Sequence, residues 1–207
     1  MNKENKIVLG ILFMTFAMFC LSVNDVLVKG LSSAYPIWEV IFFRAFSGVI
    51  ISFILIVFFG WQTLKTKKPL AHLTRAFSSV ACVVFYFFGL KYLMLSENVA
   101  IVHSAPILAT LLAVPFLGEK LGLHRIVAIV LGFIGVLIIV KPGSDLFKIE
   151  SLFPLAAAFF MAVGYLSTRF LMSTESSVAI IFYYSLALLI TSLIFFPNHF
   201  VIPSLFN

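Results

Sequence analysis

Seven apolar stretches, each about as long as a bilayer is thick, follow one another along the chain with only short polar turns between them. They fall at residues 7–30, 37–60, 73–93, 98–117, 123–140, 152–171 and 178–197. A hydrocarbon core about 30 Å thick is crossed by about 20 predominantly apolar residues in a helix rising 1.5 Å each. A spanning helix satisfies all its own backbone polar groups inside lipid, where no water is present to do so. The pattern therefore predicts an all-α fold, a polytopic transmembrane helix bundle. Its centre is a membrane hairpin, two apolar runs at 98–117 and 126–140 joined by the polar turn Gly118-Glu119-Lys120-Leu121-Gly122-Leu123-His124-Arg125.

Composition excludes the soluble classes. The chain is 62% hydrophobic and 11% charged, against about 45–50% and about 25% in soluble domains. Its net charge of +6 is not gathered into a patch that would bind nucleic acid; the basic residues sit in the turns, where they report topology. Cys20 and Cys82 both lie inside apolar runs and behave as small hydrophobes, so neither a disulfide nor a metal framework is implied. The run at 7–23 is too long for the hydrophobic region of a signal peptide and reads as a retained first span.

The N-terminus and the turns after even-numbered spans carry Lys3, Lys6, Lys65, Lys67, Lys68, Arg75, Lys120 and Arg125, with Arg169 near the end of the sixth span. The opposite side carries Lys91, then Lys141 and Lys148 offset by Asp145 and Glu150. The positive-inside bias predicts a cytoplasmic N-terminus, with residue 207 outside.

The apolar helix ending in Leu117-Gly118-Glu119-Lys120-Leu121, followed by a Gly-rich helix closing in Lys141-Pro142-Gly143, resembles the first repeat of the drug/metabolite transporter superfamily, EamA type. Arg75-Ala76-Phe77, the segment Phe87-Phe88-Gly89-Leu90-Lys91-Tyr92-Leu93 and the start Ser96-Glu97-Asn98-Val99-Ala100 are similar to it as well, so the likeness covers nearly the whole chain. Phe42-Phe43-Arg44 and Asn24-Asp25 with Lys29 look most like members related to S-adenosylmethionine uptake carriers and to the G subgroup of solute-carrier family 35. The resemblance implies a bundle of two repeats with the solute cavity between them, lined by early spans of both.

A shift of about 140 residues lays Arg169 on Lys29, Phe182-Tyr183-Tyr184 on Phe42-Phe43-Arg44, and Ser192 on Ser52 without a gap. This predicts a first repeat at 1–143, of about five helices, and an incomplete second repeat at 151–207, of about two. An odd number of spans per repeat inverts the second copy, as in many secondary transporters. A full second copy would reach about residue 280 on the same offset. The expectation is therefore a fragment of a ten-span carrier, or a short form that completes itself with a partner or as a homodimer.

Ionisable and polar groups inside spans are the candidate site, because each charge near the bilayer centre costs at least about 2.5–3.5 kcal/mol and so faces a cavity or a partner. Asp25 and Lys29 share a face of the first span, either as a self-neutralising pair near the outer interface or as cavity groups, with Asn24 beside them. Glu39 and Arg44 on the second span point about 140° apart. Glu39 lies near the outer edge; Arg44 is about 10 Å deeper and is the leading cavity charge, or else pairs with Asp25 or Glu97. An open guanidinium there suits a carboxylate or phosphate on the solute. His103 and Ser104 precede Pro106, which kinks the fourth span; His103 reads equally as a proton carrier or as a packing residue. Tyr165 and Tyr184 are the tyrosines of interest. Glu119 reads as a structural turn acid.

There is no Walker loop for ATP, no cluster with metal-ligand spacing and no nucleophile elbow, so neither a cofactor nor an enzyme is expected. The expected function is a secondary transporter in the inner (plasma) membrane, moving an amino acid, an S-adenosylmethionine-like compound or a related small solute by alternating access. The rivals are an accessory membrane assembly protein without transport of its own and a polytopic enzyme acting on lipids.

Overall fold

The computed structural model describes residues 3–118, 121–140 and 148–195, and among these every regular element is helical. There are eight α-helices: α1 (Lys3–Ala34), α2 (Ile37–Phe59), α3 (Pro69–Tyr92), α4 (Leu95–Val102), α5 (Ala105–Leu117), α6 (Leu123–Val140), α7 (Leu152–Leu171) and α8 (Ser177–Phe195). Helices α4 and α5 form a single span broken at its middle, so seven spans are long and apolar enough to cross a membrane. Glu119, Lys120 and the Lys141-Pro142-Gly143 close of the resembling motif lie outside the described residues.

The break in the fourth span follows from the sequence. Pro106 cannot donate to the carbonyl one turn back, and proline is accommodated best in the first turn of a helix, where that donor has no intrahelical partner. The chain therefore ends α4 at Val102, turns through His103 and Ser104, and restarts with Pro106 in the first turn of α5. The Ser104 carbonyl accepts from Ile107 and Leu108 at 2.9 and 3.2 Å, which starts the new helix. Pro69 does the same at the start of α3, so α3 begins four residues earlier than the apolar pattern predicts.

The bundle is built on α3, which packs most extensively against α7, while α2 packs against α8. The α7 face turned inward is made of small side chains, with Ala157, Ala158, Ala162 and Gly164 all buried. Small residues let helix backbones approach closely where lipid gives no hydrophobic drive to associate. Close approach recurs at Gly48, where an added Cβ would stand 2.7 Å from the Ser185 hydroxyl of α8, and at Gly89, where it would meet Asn98 and Pro154. One apolar cluster joins α1, α2, α3 and α8 through Val28, Val40, Ile41, Ala45, Val83, Phe87, Leu90 and Leu188. A second joins α4, α6 and α7. Helix α1 touches the rest only near its C-terminal end, and residues 7–23 are exposed along their whole length.

Short ties close both ends of the bundle. On one side the α2–α3 loop grips the α7–α8 turn: the Lys67 amide donates to Glu175 at 2.9 Å, Ser176 Oγ to the Thr63 carbonyl at 2.9 Å and Tyr183 Oη to the Leu64 carbonyl at 3.0 Å. Gly60 opens that loop at φ 90°, ψ 150°, a conformation essentially confined to glycine. On the other side Lys148 pairs with Glu97 at 3.2 Å.

Candidate functional site

Five polar residues of α3 fall at 75, 78, 79, 82 and 86, spacings of three, four and seven that set them on one face of a helix, with buried His72 a turn before them. That face looks into the bundle. Ser78 and Ser79 are buried, and Arg75, Cys82 and Tyr86 are half-buried. At its Tyr86 end α3 packs against α1 and α2, the helices that carry Asp25 and Arg44, through Val28, Val40, Ile41, Ala45, Val83 and Phe87. Arg44 forms no ion pair among the described residues. Of its expected partners, Glu97 is taken by Lys148.

Arg75 belongs to this interior. The positive-inside reading counts it with the turn, but α3 starts at Pro69, so Arg75 sits about 9 Å inside the helix at 1.5 Å per residue. Its Nη1 donates to Ser79 Oγ, its guanidinium lies 5.3 Å from the centre of the Tyr184 ring on α8, and its enclosed Nε has no hydrogen-bond partner. Gly164 of α7 makes room for it: a Cβ there would stand 3.0 Å from Nη1. The signal that finds Arg75 in sequence is the three-and-four spacing to Ser78, Ser79, Cys82 and Tyr86, not its nearness to a turn.

The other expected residues are spread around this centre. Asn24 and Asp25 are half-buried on the inward end of α1. Lys29 spends its ammonium on the C-terminal end of α3, donating to the carbonyl of Leu90 and, at 3.1 Å, to that of Leu93. A cation at a helix C-terminus satisfies carbonyls that have no intrahelical partner and complements the dipole. Glu39 is not a wet edge residue: it is 2% exposed, in the first turn of α2, where the helix N-terminus favours an anion. Ser104 is buried at the break of the fourth span. His103 beside it is exposed, with Nδ1 2.8 Å from the Val99 carbonyl, away from the α3 stripe. Tyr184 joins the stripe through Arg75.

Tyr165 of α7 follows Gly164, the residue against which Arg75 packs. It lies within electrostatic reach of both Arg75 and Cys82. It lines a cleft of about 470 Å³ between α5, α6 and α7, together with Thr110, Arg125 and Arg169. That volume is in the range of small-molecule sites, roughly 300–1,000 Å³.

A polar helix face turned into the bundle and a cleft of small-molecule size, among seven membrane-length helices, are features a carrier needs. The family model described as the EamA-like transporter family matches residues 8–141. The chain belongs to that family. It is 31% identical over 200 residues to an S-adenosylmethionine uptake transporter of Rickettsia bellii, covering 96% of this chain and 68% of that one. It is 26% identical over 196 residues to a pseudopaline exporter of Pseudomonas aeruginosa, covering 94% and 69%. A riboflavin transporter of Vibrio cholerae is 37% identical over 131 residues, covering 63% and 43%. No solved structure matches. This EamA-like protein is a multi-pass membrane transporter of small metabolites.

Proposed function

We propose that this EamA-like transporter is a secondary carrier of the inner (plasma) membrane that moves a small organic solute bearing a carboxylate or phosphate by alternating access. Its solute contacts are Arg44, Asp25 and Asn24, with Tyr184 and Tyr165 further along the path. The observation that carries this reading is that α1, α2 and α3, which bear Asp25, Arg44 and Tyr86, pack round one buried cluster inside an apolar bundle, with the Tyr86 hydroxyl enclosed there. Held in lipid, such charges are expensive unless they face solute or water, and a guanidinium fork matches a carboxylate or phosphate in geometry. S-adenosylmethionine, which carries a carboxylate and is named for a relative aligned over 96% of this chain, is the first solute to test.

The N-terminus is cytoplasmic in this reading. Support comes from the α2–α3 loop with Lys65, Lys67 and Lys68 and from Arg125 and Arg169, which share one end of the bundle, while Lys148 at the other end is paired with Glu97. The chain is organised as a first repeat at 1–143 and the beginning of an inverted second one at 151–207. In favour of that division, α2 and α8, which the offset superimposes, pack against each other. Ser52 and Ser192 are both fully buried and bond back to carbonyls of their own helices.

The test is uptake of radiolabelled S-adenosylmethionine into sealed proteoliposomes. Arg44→Ala is expected to abolish uptake while the protein stays monodisperse with an unchanged helical spectrum. Full uptake by that variant would remove Arg44 from the site.

A further inference from the structure

Two guanidiniums stand along the interior of this bundle, apart from the Lys29 ammonium bound to the end of α3. Arg44 lies about 10 Å from the Ile37 end of α2, and Arg75 about 9 Å from the opposite end of the bundle on α3. Cys82 lies two turns along α3 from Arg75 on the same face, within electrostatic range of both guanidiniums. The carboxylates facing these charges are Asp25 of α1, on the Tyr86 side, and Glu39, buried in the first turn of α2. Among the described residues Arg75 has no ion pair; its contacts are a serine hydroxyl and an aromatic face, and Nε is left unfilled. Gly164 keeps the space beside Nη1 clear of a side chain, and Tyr165, one residue on, opens to the cleft.

We infer that Arg75 is a second anion-binding station, in the half of the membrane opposite Arg44, which receives the solute's carboxylate or phosphate from the cleft lined by Tyr165. The two guanidiniums then serve the two sides of the transport cycle. Arg44 holds the anionic group when the site is open at the α2 N-terminal side, and Arg75 holds it when the site is open to the cleft. Cys82 marks the passage between them. The Tyr184 ring, 5.3 Å from the guanidinium, keeps the Arg75 fork in place by cation–π contact. This inference rests on the carrier reading above but not on the identity of the solute.

The test uses Cys82 as a built-in reporter. In a Cys20→Ser background, membrane vesicles holding the full chain are treated with an anionic thiol reagent, sulfonatoethyl methanethiosulfonate, and with its cationic counterpart, trimethylammonioethyl methanethiosulfonate. The ratio of the two labelling rates at Cys82 is read by mass. Removing one unit charge two helical turns away, about 10 Å at 1.5 Å per residue, alters that ratio by about tenfold at an effective dielectric of about 40. The ratio is expected to favour the anion, to fall by about that factor in Arg75→Gln, and to be kept in Arg75→Lys, which preserves charge and guards against misfolding. An unlabelled Cys82, or a ratio indifferent to Arg75→Gln, overturns the inference. Protection of Cys82 by S-adenosylmethionine, but not by its decarboxylated form, would identify the carboxylate as the occupant. If S-adenosylmethionine gives no protection while the charge preference stands, that choice of solute falls and the second station remains.

Discussion

Gly89→Ala pits two effects of similar size and opposite sign against each other. Alanine in a helix interior is favoured over glycine by about 0.8–1 kcal/mol. At position 89, however, the new methyl would stand 1.9 Å from Asn98 Oδ1, 3.0 Å from its Cγ and 3.2 Å from Pro154 Cδ. Asn98 is fully buried on α4 and donates from Nδ2 to the Tyr86 carbonyl at 3.3 Å, so its amide has no empty volume to enter. Overpacking of this kind costs about 1–3 kcal/mol, and displacing the amide forfeits about 1 kcal/mol of hydrogen bond. The net expectation is a loss of about 1–3 kcal/mol, which lowers the melting midpoint by roughly 2–12 °C for a chain of this size. Gly135→Ala on α6, where an added Cβ meets nothing within 4 Å, is the control and should hold or raise the midpoint. Melting curves in one mild detergent compare both with Asn98→Ala and with the Gly89→Ala/Asn98→Ala double variant. Because removing the amide removes the clash, the double variant should lose less than the sum of the singles by at least about 1 kcal/mol. Strict additivity, or a Gly89→Ala protein as stable as the Gly135→Ala control, would refute the packing argument.

Replacing Lys29 by Met, which keeps its length, should lower stability by about 1.5–3 kcal/mol by stranding the Leu90 and Leu93 carbonyls. Solute affinity measured by protection of Cys82 should stay within about twofold, and a large affinity loss at unchanged stability would return Lys29 to the solute site. The Glu175 carboxyl is held below the usual carboxylate range, chiefly by the Lys67 amide, with Thr66 and His72 adding to it. A depressed folded pKa contributes stability above the unfolded value, near 4.3, and loses it as pH falls through the folded one. The melting midpoint of Glu175→Gln should therefore lie below the parent at pH 7 and converge with it below about pH 4; a gap that is independent of pH would mean the carboxylate charge does not hold the latch. These stand beside the loss of uptake expected for Arg44→Ala and the altered labelling ratio expected for Arg75→Gln.

Hydrophobic run length and proline placement made the spans legible, because lipid imposes one solution on any apolar segment about 20 residues long. The break at His103 and Ser104 was readable from Pro106 for the same local reason. Individual charges were harder. Asp25 and Lys29 share a helical face, yet Lys29 is drawn to the end of α3, a helix 61 residues away in sequence. Glu39 reads as an interfacial acid from its position in the span, and burial decides otherwise.

The sequence by itself determined the class, the number of spans and their chemistry, since these follow from local composition meeting a fixed solvent thickness. Only the tertiary structure decided which charges meet. The α3 stripe has the spacing of a helical face, but nothing local says whether that face turns to lipid or inward. The answer comes from α7, whose alanines and Gly164 admit α3 closely enough to enclose Arg75, and from α8, which brings Tyr184 over its guanidinium. Those contacts join residues about 90 to 110 positions apart, and a helical period carries no information at that range.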